Sequence, residues 1–471
     1  MSKRNEQRRL ALKKLVADFE ESIRRDEPLF LGQEEFEDIL GFYFEAGDFD
    51  QTLLVADVAL AQHSYTPEFY RWKALIHKIN FQEEEALDTL NRLAVYAPND
   101  EESLMLKLEI LIHFNKVEEA QEVLSTLFAR IQEDKKLSLL HFFEGLIHLH
   151  TEEVASAWSS LIKAIQLDPY QEPAIDEALN AAEFAFYQKE LSNVLERILD
   201  KDPFNHLAWF YLGLWYEDHG EDFKSLDAFS SARSLFDKDA RYELSYADKL
   251  FDLERYSTAL VVYRSYFSMP NAESNYETFM RMGRSYQMLE DLGRAKAAYF
   301  KAVEADPRMF DAYQYLGECF AAEGKWGVAA HNYGRAVEQT GHSADCWLGL
   351  ALCQSALNET EEADAAFRKA ITHQQQYSDA IVAYAIFLVD LGEESKARFL
   401  LEDSLSRYED ATLLYGMVAV CYVTKRRVQA LELLNDALSN YYDDRELLLN
   451  WYPDLLEDDQ FRAIYALYEN R

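Results

Sequence analysis

Basic residues are scarce in this chain of 471 residues. Lys and Arg number 47 against 84 Asp and Glu, a formal net charge of −37. That shortage argues against nonspecific nucleic-acid binding, which needs cations to neutralise phosphates. It argues equally against adhesion to an anionic membrane surface. A basic or neutral partner suits such a chain, although a solvated acidic exterior accounts for the same charge. Cysteine is also sparse. The four present are too few for a disulfide framework, and no CxxC occurs. They read as buried thiols in a reducing compartment. No apolar run reaches the roughly 20 residues that span a bilayer. The longest, Ala380–Val389 and Leu413–Val423, read as unusually apolar helices. The first fifteen residues are charged throughout and lack an apolar leader core, so a cytoplasmic location is expected.

Catalytic signatures are missing as well. There is no GxGxxG after a strand, no GxxxxGK[ST], no GxSxG and no HExxH. No segment is rich in strand formers. The densest group of metal-ligand type is His148 and His150 beside Glu152 and Glu153. Two residues apart on a helix, the two imidazoles point about 200° from each other. His148 fits a core or interface histidine better than a ligand. No catalytic, cofactor-binding or metal-binding residue is assigned, no cofactor is expected, and an enzyme is not expected.

What the chain does contain is a repeat of about 34 residues. Its clearest copy runs WFYLGLWYEDHGEDFKSLDAFSSA, from Trp209 to Ala232. With Trp209 as position 4, Leu212 is 7, Gly213 is 8, Tyr216 is 11, Gly220 is 15, Phe229 is 24 and Ala232 is 27. Positions 4, 7, 8 and 11 share one face of a first helix, and 20, 24 and 27 share one face of a second. Small residues at 8 and 20 let the helices approach, and aromatics at 4, 11 and 24 fill the space beside them. Glycine at 15 ends the first helix in the left-handed conformation. The register recurs at Gly145, Ala157, Leu161, Ala164 and Pro169, and again at Gly283, Tyr286, Ala295, Tyr299 and Ala302. It recurs once more at Leu316, Gly317, Phe320, Gly324, Ala329, Tyr333 and Ala336. Weaker copies include Ile175–Pro203, Glu243–Tyr266, Ile381–Ser404 and Tyr415–Leu438. Extra residues near Ala129–Lys136 and Ser268–Ser274 read as longer turns between hairpins.

This pattern resembles the tetratricopeptide repeat, with large residues at 4, 7, 11 and 24 and small ones at 8, 20 and 27. The resemblance implies an all-α fold, a right-handed superhelical solenoid of about 12 helix-turn-helix units between residues 33 and 441. Residues 1–32 are expected to form a basic, amphipathic N-terminal helix with Leu12, Val16, Phe19 and Ile23 on one face. It serves either as a cap or as an arm that contacts an acidic surface. Residues 442–471 are expected to cap the other end, with Phe461, Ile464, Tyr465 and Tyr468 at helical spacing.

The resemblance also implies a binding wall at first-helix positions 2, 5, 9 and 12. Those positions hold Phe142, Leu146, Leu207, Phe210 and Leu214 in the middle of the chain. Arg241, Arg284 and Glu318 follow, beside Asp248 and Asp311. Leu348, Leu352, Val382, Ile386 and Val389 make a longer apolar stretch. No unit has Lys at position 5 paired with Asn at 9, so the family's clamp for a terminal carboxylate is not expected. An apolar groove suits an amphipathic helix or peptide segment, whereas tight winding would bury the same side chains. The expected function is a noncatalytic protein-interaction scaffold whose partner is a protein or peptide, basic or amphipathic and helical. Self-assembly through the wall or the chain ends is the alternative. RNA binding in the manner of other helical-repeat proteins rests on the basic N-terminus alone.

Overall fold

The computed structural model describes residues 3–25, 27, 29–185 and 187–468, with side chains from residue 9 onward except those of 183–185 and 188. Every long element among them is an α-helix, and no described helix is long and apolar enough to cross a membrane. The chain divides into two compact units, Met1–Phe236 and Asp237–Arg471.

The first unit opens with α1 (Lys3–Arg25) and continues as six hairpins. These are α2–α3 (Gln33–Glu45, Phe49–Gln62), α4–α5 (Pro67–Ile79, Glu83–Tyr96) and α6–α7 (Glu101–His113, Val117–Phe128). Then come α8–α9 (Asp134–His150, Val154–Leu167), α10–α11 (Glu172–Ala185, Gln188–Lys201) and α12–α13 (His206–Asp218, Asp222–Leu235). The second unit has six more. They are α14–α15 (Ala240–Asp252, Tyr256–Tyr266), α16–α17 (Tyr276–Met288, Leu292–Ala305) and α18–α19 (Phe310–Ala322, Trp326–Thr340). The rest are α20–α21 (Ala344–Ala356, Thr360–His373), α22–α23 (Ser378–Asp390, Glu394–Leu405) and α24–α25 (Ala411–Val423, Arg427–Asn440). Two short helices, α26 (Glu446–Trp451) and α27 (Asp459–Tyr468), complete it. Each unit is therefore a stack of hairpins of the expected repeat type.

Local chemistry sets the hairpin boundaries. Several first helices begin behind side chains that accept backbone N–H groups: Asp100 from Ser103, Asn205 from Ala208, Asn275 from Thr278 and Asp410 from Leu413. Wherever position 15 is among the described residues, a first helix ends there in the left-handed region. Gly47, Gly220, Gly324 and Gly392 occupy it, and so do Phe81, Asn115, Glu152, Glu254, Glu290, Asn358 and Lys425. At Gly324 the Lys325 N–H donates to the Phe320 carbonyl at 2.9 Å and the Gly324 N–H to Ala321 at 2.8 Å. That pair of bonds closes the helix and turns the chain back.

Within a hairpin, the residue at 24 fills the gap left at 8. A Cβ on Gly145 would lie 2.8 Å from Leu161, and one on Gly317 would lie 2.9 Å from Tyr333. The small residues at 20 and 27, such as Ala157 and Ala164 or Ala329 and Ala336, are fully buried beside them. Van der Waals fit of large into small thus holds each pair of helices together.

Two expectations about register need correction. In the final hairpin the left-handed residue is Lys425, and Ala430, Leu434 and Ala437 are fully buried at 20, 24 and 27. Leu414 is therefore position 4, one residue earlier than the expected Tyr415. The apolar run around α24 offered too many large residues to fix the register by pattern. Near Ala129–Lys136 the extra residues do not all lie in a turn. α8 starts at Asp134 and, at 17 residues, is three or four residues longer than the other first helices.

At the start of the first unit, Val16 and Phe19 are buried, and the Phe19 ring meets Phe36 edge-on at 6.4 Å. Leu12 is half-buried and Ile23 exposed. The side chains of Lys3, Arg4 and Arg8 lie outside the described residues. At the end of the second unit, Leu448, Leu455, Phe461 and Tyr465 are buried, and Phe461 meets Tyr422 at 5.1 Å. All four cysteines are unpaired and buried. Burial pushes the thiols of Cys319, Cys346 and Cys353 up to about 11.

Candidate interaction face

First-helix positions 2, 5, 9 and 12 recur along one side of an α-helix. In the first unit this stripe carries Phe142 and Leu146 on α8, both half-buried, and Leu207, Phe210 and Leu214 on α12. Leu207 is 4% exposed and Phe210 6%, and the Phe210 ring packs on Phe229 at 5.8 Å. These two serve helix packing, while Phe142, Leu146 and Leu214 keep part of their surface. His148 bonds Glu153 through Nδ1 at 3.0 Å. His150 bonds Asn115 instead, so the two imidazoles turn to different partners. No group of His, Cys, Asp and Glu suited to a metal ion occurs among the described residues.

In the second unit the stripe begins with polar and aromatic groups. Arg241 is exposed on α14 and bonds Asp239. Arg284 is exposed on α16, its guanidinium 5.4 Å from the centre of Phe251 and 5.8 Å from that of Tyr315. Two aromatic faces thus hold one cation between successive first helices. Beside it, Arg281 lies 3.3 Å from Asp248, which also accepts from the Tyr263 hydroxyl at 2.6 Å. Glu318 accepts from the amides of Gln287 and Gln314, each at 3.2 Å.

Further along, the stripe becomes apolar. Leu348, Ile386 and Val389 are half-buried against one hydrophobic cluster, and Leu352 is 46% exposed. Val382 differs: it is 1% exposed, and its side chain fills the space where Gly416 of α24 has no Cβ. The single glycine on α24 thus draws Val382 out of the accessible surface.

Position 2 of three consecutive units is an aspartate: Asp311, Asp345 and Asp379. Burial pushes the Asp311 carboxyl above the usual range. Burial does the same to Asp379, helped by the negative charges of Asp410 and Asp345. Asp345 accepts from the Tyr377 hydroxyl. A row of carboxylates therefore runs beside Leu348, Leu352 and Ile386 on the same helix faces. Of these three aspartates, sequence reasoning singled out Asp311 alone. The 34-residue spacing of 311, 345 and 379 was the available signal.

The family model described as "Tetratricopeptide repeat" matches residues 280–327 and 320–381. Superkiller complex protein 3 of Homo sapiens is 24% identical over 310 residues, which cover 63% of this chain and 19% of that protein. Tetratricopeptide repeat protein 37 of Xenopus laevis is 22% identical over 306 residues, again 63% of this chain and 19% of the other. The chain thus spans about a fifth of the length of these relatives. Among solved structures, YrrB, titled a TPR protein with an unusual peptide-binding site, is 19% identical with a TM-score of 0.37. That likeness covers 40% of this chain and 97% of YrrB. The APC/C hetero-tetramer Cut9–Hcn1 is 11% identical with a TM-score of 0.36, covering 83% of this chain and 96% of that one.

Proposed function

This chain is a tetratricopeptide repeat protein, and on that premise we propose that it is a noncatalytic scaffold that binds a partner protein through its first-helix faces. The partner segment is a basic amphipathic helix or peptide, and the main contact is on α20 and α22. One observation carries this reading. Asp345 and Asp379 lie on the same helical stripe as the accessible apolar side chains Leu348, Leu352 and Ile386. Apolar contact supplies affinity in such a groove, while the carboxylates favour and steer a cationic flank. The mixed patch around Arg284 and Glu318 would set the register of the same segment. Within this reading, residues 33–441 form the repeats, 1–32 close one end and 442–471 the other. Unpaired buried thiols suit action in a reducing cytoplasm.

The test is affinity purification of the tagged protein from its native cell at low and at high salt, followed by mass spectrometry. A stoichiometric partner that survives salt supports the apolar groove, since salt screens only exposed charge pairs. Partners lost entirely at high salt would move the site to the acidic surface instead. A self-assembled oligomer with no other partner would reject the scaffold reading.

A further inference from the structure

A cavity of about 470 Å³ opens on the second unit, away from the first-helix stripe. It lies where the chain departs from its repeat length. Two extra residues near Ser268–Ser274 lengthen the connection between α15 and α16, and the Tyr266 hydroxyl ties that connection down. It donates to the Glu273 carbonyl at 3.0 Å and accepts the Glu273 N–H at 2.9 Å. Phe267, at the start of the connection, stacks on Phe279 of α16 with ring centres 5.0 Å apart and planes 6° from parallel. These rings and Tyr286 give the cavity an apolar, flat-sided interior.

Its charged lining is all of one sign. Arg264 from α15 and Arg294 and Lys301 from α17 line it, and no carboxylate does. The chain as a whole carries 84 acidic against 47 basic residues, so this composition is against the trend. Lys301 stands 5.5 Å over the Phe279 ring and Arg294 5.9 Å over Tyr286. Arg294 has a partner in Asp291 at 3.5 Å. Arg264 spends its Nε on the Leu260 carbonyl at 3.0 Å, which fixes the side chain and leaves the terminal nitrogens to other acceptors. Among the described residues neither Arg264 nor Lys301 pairs with a carboxylate.

The geometry points to a second binding site here, for an organic anion with a flat apolar body. An aromatic or branched aliphatic group would enter beside Phe279 and Tyr286, and its carboxylate would meet Arg264 and Lys301. A guanidinium matches a carboxylate in a two-point hydrogen-bonded arrangement. The volume suits a body of one or two rings. The same chemistry is offered by a free aromatic acid and by the terminal carboxylate of a peptide that ends in an apolar residue. This inference does not depend on the scaffold reading, since none of its residues lies on the first-helix stripe.

Calorimetric titration of the full chain with N-acetylphenylalanine, with its neutral amide and with a short peptide ending in phenylalanine tests it. The acid is expected to bind saturably and the amide at least tenfold more weakly. The double variant Arg264→Glu, Lys301→Glu should lose the acid. Ala297→Phe, which fills the cavity without changing charge, should lose it too, with helix content and melting temperature kept in both. Tighter binding of the peptide than of the free acid assigns the site to a chain terminus, and the reverse assigns it to a small molecule. Equal binding of acid and amide, full binding by either variant, or no saturable binding at millimolar concentration would overturn the proposal.

Discussion

A Cβ placed on Gly213 would fall 2.6 Å from the Phe229 ring, the side chain that locks α12 against α13. Phe229 is fully buried, so it has nowhere to retreat. Gly213→Val should therefore cost about 1–3 kcal/mol of unfolding free energy, the usual penalty of overpacking. Combining it with Phe229→Leu should cost less than the sum of the two single changes. Urea unfolding of the three variants measures this directly.

The left-handed position that ends a first helix offers changes of opposite sign. Glu290 holds φ 60° and is exposed, so its side chain brings conformational strain and little packing. Glu290→Gly should stabilise the second unit by about 1 kcal/mol. Gly392→Ala, at φ 79°, should destabilise it by a similar amount. Thermal melting of both variants checks the pair.

Acid should weaken the first unit through two carboxylates. At Asp100 burial alone would raise the carboxyl. Hydrogen bonds from Ser103 and the charge of Arg71, 2.7 Å away, outweigh burial and hold it below the usual range. At Glu144 the hydrogen bond from His141 lowers the carboxyl most; burial opposes it, and a bond from Ser160 adds to the lowering. A carboxyl depressed on folding stabilises the fold above its unfolded value, near 4, and that stability is lost as pH falls through the folded value. Between about pH 5 and pH 3, Glu144→Gln should lose less stability than the parent chain. Denaturant titrations at the two pH values give the comparison.

Asp379 should show stability and binding pulling in opposite directions. Its raised carboxyl means that the folded state disfavours the charge, so ionisation costs stability once pH exceeds the unfolded value. Asp379→Asn should raise the melting temperature at neutral pH and change it little near pH 3. The same substitution should weaken capture of a basic partner, most at low salt. A carboxylate kept at a cost to folding is what a binding site for cations would retain.

Much of this fold was legible in the sequence because each repeat is specified by contacts sixteen residues apart. Gly145 with Leu161 and Gly317 with Tyr333 are legible as sequence patterns. The pattern failed where large apolar residues crowd every face, as in α24, and one register slipped by a residue. Accessibility was less legible than fold. Leu352 and Val382 both occupy wall positions, yet one is 46% and the other 1% exposed. The difference lies in Gly416, a residue of the following hairpin, which repeat position alone did not flag. The cavity beside Phe279 was visible only as two surplus residues, because its cations come from two different hairpins.

The interaction face is tested most directly by Leu352→Asp. Leu352 is accessible, so the change should leave helix content intact while placing a charge in the middle of the apolar wall. Quantitative capture of partners by this variant should be compared with capture by the parent chain and by Phe399→Asp. Phe399 is an exposed phenylalanine on α23, a second helix, off the wall. The account predicts that Leu352→Asp loses the salt-resistant partner and that Phe399→Asp retains it. Equal capture by the parent chain and Leu352→Asp would contradict it.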